Sequence, residues 1–173
     1  MSWPQRIICM TEETVETLYL LGEQDRIAGI SGFTVRPPEA RKDKPKVSAF
    51  TSAKIPKILE LKPDLVLGFS DLQADIAAEL IKHGIEVYVF NQRTVEGILR
   101  MIRTLGRLVD ASDKADNLAQ AYEEKIAHLK DKTQNWQNKP TVYFEEWYLR
   151  YQSLILYGHE KKLSRDLNSA IIH

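Results

Sequence analysis

Asp64-Leu65-Val66-Leu67-Gly68-Phe69 is apolar at consecutive positions, not at alternate ones. A strand with one wet face alternates, whereas one apolar on both faces belongs to a parallel sheet covered by helices on both sides. Outward from this run the same rhythm repeats. Asp71 follows as a candidate helix cap, ahead of Leu72, Ile76 and Leu80 on one stripe and Gly84 as the stop. Ile85 to Phe90 is the next strand. Before the run, Ile55, Ile58, Leu59 and Leu61 mark a short helix with Pro56 in its first turn, where proline is tolerated. Arg6 to Met10, Arg26 to Ile30 and Pro140 to Glu145 read as further strands. Thr11, with Glu12 and Glu13 at the positive end of a helix dipole, opens a helix over Val15, Leu18 and Tyr19. Thr94 caps a helix carrying Val95, Ile98, Leu99, Ile102 and Leu105. Ser112 caps a longer one, with Ala115, Leu118, Tyr122, Ile126 and Leu129 at spacings of three and four. Ser31 to Lys46 has little periodicity and holds Pro37, Pro38 and Pro45, and so reads as a long loop. Strands alternating with helices across short turns predict an α/β fold, a parallel sheet flanked by helices and followed by a long helix.

Composition removes several function classes. The 173 residues carry 24 basic and 24 acidic side chains, so net charge supplies no global attraction to nucleic acid or to an anionic membrane. A hydrophobic content of 43% with 28% charged residues is that of an ordinary folded domain. The single cysteine, Cys9, excludes an internal disulfide and a cysteine-rich zinc site, and reads as a small buried hydrophobe. No apolar run is long enough to cross a bilayer. Met1 to Arg6 lacks a basic region, an apolar core and a cleavage site, so the chain as written is expected in the cytoplasm. Glycine-rich dinucleotide and phosphate loops are absent. Gly68-Phe69-Ser70 opens like a nucleophile elbow, but Leu72 stands where the closing glycine is required. His83, His128, His159 and His173 have no metal-ligand spacing, so no metal site is expected.

In an open parallel sheet, ligands lie outside the carboxyl ends of the strands. Phe33, Phe50 and Phe69 fall at or near those ends, as do Arg36, Asp71, Arg93, Glu145, Glu146 and Trp147. Each ring has two readings, core residue or ligand contact. Asp71 likewise has two, helix cap or site acid. An enzyme would have to use Asp71, Arg93 and Glu145, yet nothing pairs them with a nucleophile or a metal.

The stretches Ile30-Ser31-Gly32-Phe33-Thr34-Val35-Arg36-Pro37-Pro38-Glu39-Ala40, Lys46-Val47-Ser48-Ala49-Phe50 and Leu61-Lys62-Pro63-Asp64-Leu65-Val66-Leu67, in this order and spacing, resemble the substrate-binding proteins of cobalamin and iron-siderophore ABC importers, the cobalamin branch above all. Arg6-Ile7-Ile8, Gly84-Ile85-Glu86-Val87 and Leu105-Gly106-Arg107-Leu108 are similar too. The resemblance covers about residues 5 to 147. It implies a non-catalytic binding module with two α/β lobes joined by one rigid helix. Residues 5–111 then form the first lobe, 112–136 the bridging helix, and 137–173 a stub of the second lobe with an unspecified tail. It implies cobalamin or an iron chelate as ligand, no intrinsic cofactor, and Phe33, Phe50 and Phe69 as the aromatics lining the first lobe, with the family's tyrosine hydroxyl and tryptophan indoles replaced. Arg36, Asp71 and Trp147 complete the expected ligand contacts. It also implies an ABC permease as partner and the periplasm as the usual location. The family's docking acid, however, is replaced by Pro56, between Lys54 and Lys57. The strand around Tyr143 and Phe144, lacking sheet partners, is expected to drive self-association. The other readings are a cytoplasmic accessory or sensor built on the same lobe, and a non-functional fragment.

Overall fold

A computed structural model describes residues 3–134 and 136–137. The chain divides into two compact units, Met1–Ala127 and His128–His173. The first holds a five-stranded sheet in which every neighbouring pair is parallel. Its strands are β1 (Ile7–Cys9), β2 (Ile27–Ser31), β3 (Lys46–Ser48), β4 (Leu65–Phe69) and β5 (Val87–Phe90), in the order β3-β2-β1-β4-β5. The helices are α1 (Glu12–Leu21), α2 (Pro38–Asp43), α3 (Ile55–Glu60), α4 (Ala74–Lys82), α5 (Val95–Leu108) and α6 (Ser112–Gln134). Of the second unit, the described part is the end of α6 with Trp136 and Gln137.

The consecutive apolar residues of β1 and β4 divide between two cores, because successive side chains of a strand point to opposite faces. Ile7, Cys9, Leu65 and Leu67 lie on one face with Val15 and Leu18 of α1, Leu99, Ile102 and Leu105 of α5, and Ala115 and Ala119 of α6. Ile8, Met10 and Val66 lie on the other, with Ile58 of α3 and Leu80 of α4. Each fully buried aliphatic side chain contributes about 1.5–3 kcal/mol relative to exposure. α6 seats on the first core through Ala115 and Ala119, with Leu118 and Tyr122 half-buried beside them.

Three local expectations are corrected, on the segment after β2, on Asp71 and on Leu72. The segment Ser31 to Lys46 is not one long loop, because α2 and the first residue of β3 fall inside it. α2 starts at Pro38 and buries only Ala40, and β3 is three residues long, so neither is long enough to show a period. Asp71 does not cap α4. A 3-10 turn, Asp71–Gln73, precedes that helix, and it is the Ser70 hydroxyl that accepts from the Leu72 N–H, at 3.3 Å. Leu72 is accordingly exposed and outside the buried stripe. Thr11 occupies the cap position of α1 without a side-chain bond, whereas Thr94 Oγ1 does accept from the Gly97 N–H, at 3.0 Å. The expected strand from Pro140 to Glu145, and with it the self-association reading, lies outside the described residues.

Cys9 is fully buried, as its residue type suggested. Burial pushes its thiol up to about 12, against smaller opposing effects from the Thr14 hydroxyl and the Lys44 charge. A thiol reagent at pH 8 should therefore modify Cys9 only in denaturant. Stoichiometric labelling of the native chain within minutes would contradict this burial.

Candidate functional site

The crossovers run β1 to β2 to β3 in one direction and then return to place β4 on the far side of β1. That reversal opens a crevice at the carboxyl ends of β1 and β4, the usual place for a ligand in such a sheet. A cleft of about 310 Å3 lies beside it, lined by Met10 and Thr11 after β1, Glu12, Glu13 and Glu16 of α1, Ser31 and Phe33 at the end of β2, Arg36, and Phe50 after β3.

The aromatics are not core residues. Phe33 is 65% exposed and Phe50 38% exposed, and both face this cleft. Phe69, half-buried at the end of β4, stands 6.4 Å from Phe50 between ring centroids, at 46° between ring planes. The three therefore follow the carboxyl edge of the sheet as a partly exposed apolar row. Beyond Phe69, the Arg93 guanidinium lies 5.1 Å from the ring centroid, a cation–π contact. Arg93 Nη2 donates to Asp71 Oδ1 at 3.4 Å, and Arg93 Nε donates to Asn91 Oδ1 at 3.2 Å. Asp71 is thus a solvated partner of Arg93. An ion pair so open to water is worth a few tenths of a kcal/mol to about 1 kcal/mol.

Arg36 is drawn onto α1. Its backbone N–H donates to Glu12 Oε1 at 3.1 Å, its Nε reaches the same oxygen at 3.3 Å, and its Nη2 lies 3.4 Å from Glu16 Oε2. Glu12 and Glu16, four residues apart, share one helix face. That spacing is the signal in the sequence that marks them as a pair, beside the role of Glu12 as a dipole partner of α1. The cleft mouth carries three carboxylates against one guanidinium. Of the expected contacts, Phe33, Arg36 and Phe50 come together at the cleft, and Phe69 and Asp71 adjoin it through the Phe50–Phe69 pair. Trp147, Glu145 and Glu146 lie outside the described residues.

A third residue has no signature in the sequence. Gln73, fully buried, reaches across the crevice: its Oε1 accepts from the Phe69 N–H at 2.9 Å, and its Nε2 donates to the Phe50 carbonyl at 2.9 Å and to the Met10 carbonyl at 3.4 Å. No sequence pattern announces such a bridge. Among the described residues no cluster of His, Cys, Asp and Glu is arranged to hold a metal ion, and no helix is long and apolar enough to cross a membrane.

An open parallel sheet with exposed aromatics along its carboxyl edge has the build of a small-molecule-binding lobe. A family model described as periplasmic binding protein matches residues 7–170, and the chain belongs to that family, one of binding proteins and not of enzymes. The vitamin B12-binding protein of Vibrio campbellii is 28% identical over 142 residues, covering 82% of this chain and 51% of that protein. Two solved structures share the fold. A possible iron-binding (periplasmic solute-binding) protein of Staphylococcus epidermidis superposes with a TM-score of 0.73 at 20% identity, over 80% of this chain and 55% of its own. A periplasmic heme-binding protein of Pseudomonas aeruginosa superposes with a TM-score of 0.71 at 20% identity, over 79% and 50%. The chain spans about half the length of the curated relatives it matches.

Proposed function

We propose that this lobe binds one face of a broad, flat corrinoid. The observation that carries the reading is the exposure of Phe33 and Phe50 in one cleft, with Phe69 beside Phe50. A soluble lobe leaves rings open at a sheet edge when something apolar and wide is to lie on them. The vitamin B12-binding relative supports the corrinoid class. The acid-lined cleft mouth also suits a ligand rimmed with amide donors better than an anionic chelate, which those carboxylates would repel.

Closed ligand sites bury roughly 70–90% of a drug-sized molecule, and one lobe taken by itself about half at best. The expected affinity is correspondingly weak, with Kd in the micromolar-to-millimolar range (about −8 to −4 kcal/mol). Visible-absorbance titrations with hydroxocobalamin, hemin and a ferric chelate test this. Saturable binding of hydroxocobalamin ahead of the other two supports the reading, and an unchanged corrinoid spectrum up to millimolar protein overturns it.

Transporter docking is the point of departure from an importer receptor. The first turn of α3 carries no acid; Pro56 and Lys57 stand there behind Lys54. Asp75, in the first turn of α4, is the acid nearest in kind. The native chain should show no measurable complex with a cobalamin-type permease in nanodiscs, and Pro56→Glu should restore the missing charge. A complex formed by the native chain and lost in Asp75→Ala would show that docking proceeds by another route.

A further inference from the structure

Gln73 belongs to the 3-10 turn after β4, yet its three hydrogen-bond partners lie at the carboxyl ends of three different strands. Phe69 ends β4, Met10 follows β1, and Phe50 follows β3. Backbone groups beyond the last rung of a sheet have lost their ladder partners and need others when buried. One primary amide, with an acceptor and two donor hydrogens, supplies them here. A leucine or methionine would fill similar volume without the cost of burying an amide, so volume alone does not explain glutamine at this place. The neighbouring backbone is shaped to it. A Cβ at Gly68 would stand 3.1 Å from Gln73 Oε1 and 3.0 Å from Met10 Cε, so a side chain there would push on both. Ser70, next after Phe69, holds φ +57°, which non-glycine residues rarely adopt, with its N–H on the Phe90 carbonyl at 2.8 Å.

We propose that Gln73 is a positioning residue for ligand binding: by tying the Phe50 carbonyl to the Phe69 N–H through one side chain, it sets the separation and tilt of the two rings and so fixes the floor on which the ligand lies. The proposal rests on the aromatic-floor reading of the site. A side chain that merely satisfied its own helix start would bond locally. Two of the three bonds of Gln73 instead span 23 and 63 residues of sequence.

The test uses the full chain with Gln73→Met, which keeps length and removes both polar atoms, and Gln73→Glu, read above the pKa of the buried carboxyl, which keeps the acceptor for Phe69 and removes the donor to Phe50 and Met10. Amide hydrogen exchange and ring-to-ring NMR contacts read the geometry without any ligand. In Gln73→Met the Phe69 amide should exchange about tenfold faster, with the Leu67 and Cys9 amides unchanged, and the Phe50–Phe69 ring contact should be lost. In Gln73→Glu the Phe69 amide should stay protected while the ring contact is still lost. Hydroxocobalamin should bind both variants about tenfold more weakly than the parent, a loss of about 1.4 kcal/mol. Unchanged Phe69 protection and ring contact in Gln73→Met would overturn the proposal. So would parent-like affinity in a variant that has lost the ring contact, or a general loss of protection across β1 and β4 in both variants, which would make Gln73 a core residue only. If the parent itself leaves the corrinoid spectrum unchanged, the ligand reading falls, and the exchange and ring-contact data still decide the geometric role.

Discussion

Phe33→Ala and Phe50→Ala should each weaken hydroxocobalamin binding by roughly 1–2 kcal/mol, about 5–30-fold, with Phe33→Ala melting within a degree or two of the parent and Phe50→Ala, which also gives up its contact with Phe69, a few degrees lower. The reason is exposure. A ring open to water in the free lobe has little folded-state contact to lose, but it gives up its apolar area to a flat ligand on binding. Phe90 is the internal control. It is 6% exposed, ends β5 on the same sheet, and packs in the α1–α5 core. Phe90→Ala should cost about 3–5 kcal/mol of stability through the cavity it leaves. Phe69 lies between these cases: half-buried, beside Phe50 and under Arg93, so its alanine variant should lose part of both quantities. Thermal melts run beside absorbance titrations separate the two behaviours. If Phe33→Ala and Phe50→Ala melt as far below the parent as Phe90→Ala, and none alters the ligand spectrum, there is no aromatic floor.

The contrast among these phenylalanines was invisible to the sequence, although the places they occupy were not. The unbroken apolar runs of β1 and β4 required a sheet covered on both faces. Gly22 and Gly84 at positive φ stop their helices where the pattern placed the stops. The carboxyl edge, where a ligand is expected, followed from strand direction alone. Burial of an individual ring depends on which helices cross which strand ends, and short elements decide that. α2 and β3 turn the supposed loop after β2 into a second βα unit and bring Phe50 beside Phe33 in one cleft. A six-residue helix with one buried alanine and a three-residue strand are too short to show a period of 3.6 or of 2. Asp71 misled for a different reason. An aspartate just ahead of an apolar stripe is a good cap by residue type, but the chain inserts a 3-10 turn, and Ser70 takes the capping bond while Asp71 swings out to Arg93. Glu12 and Glu16 carried a legible spacing without a legible partner, since Arg36 reaches them only after the β2 crossover brings it back.

Gly106→Ala should lower stability by roughly 1–3 kcal/mol, a fall in melting temperature of several degrees for a unit of this size. A Cβ placed on Gly106 would overlap the Ala115 Cβ and stand 3.0 Å from the Ala111 carbonyl oxygen. Neither is the tip of a flexible side chain, so α6 as a whole must retreat from α5. Ion pairs that hold the same two helices would stretch with it: Arg103 Nε to Asp116 Oδ1 at 3.3 Å and Arg103 Nη1 to Glu123 Oε1 at 2.9 Å. Gly84→Ala is the contrasting case. Nothing lies within 4 Å of the added methyl, and only its φ of +77° is unfavourable, a cost of about 1–2 kcal/mol per residue. The steric cause can be isolated by reversal. Ala115→Gly alone should destabilise by about 1 kcal/mol through helix propensity. In the Gly106→Ala background it should restore clearance, so that the double variant is more stable than the sum of the single losses. Strict additivity in that cycle, measured by urea denaturation, would mean that the close approach of α5 and α6 at Gly106 does not govern how the long helix seats on the lobe.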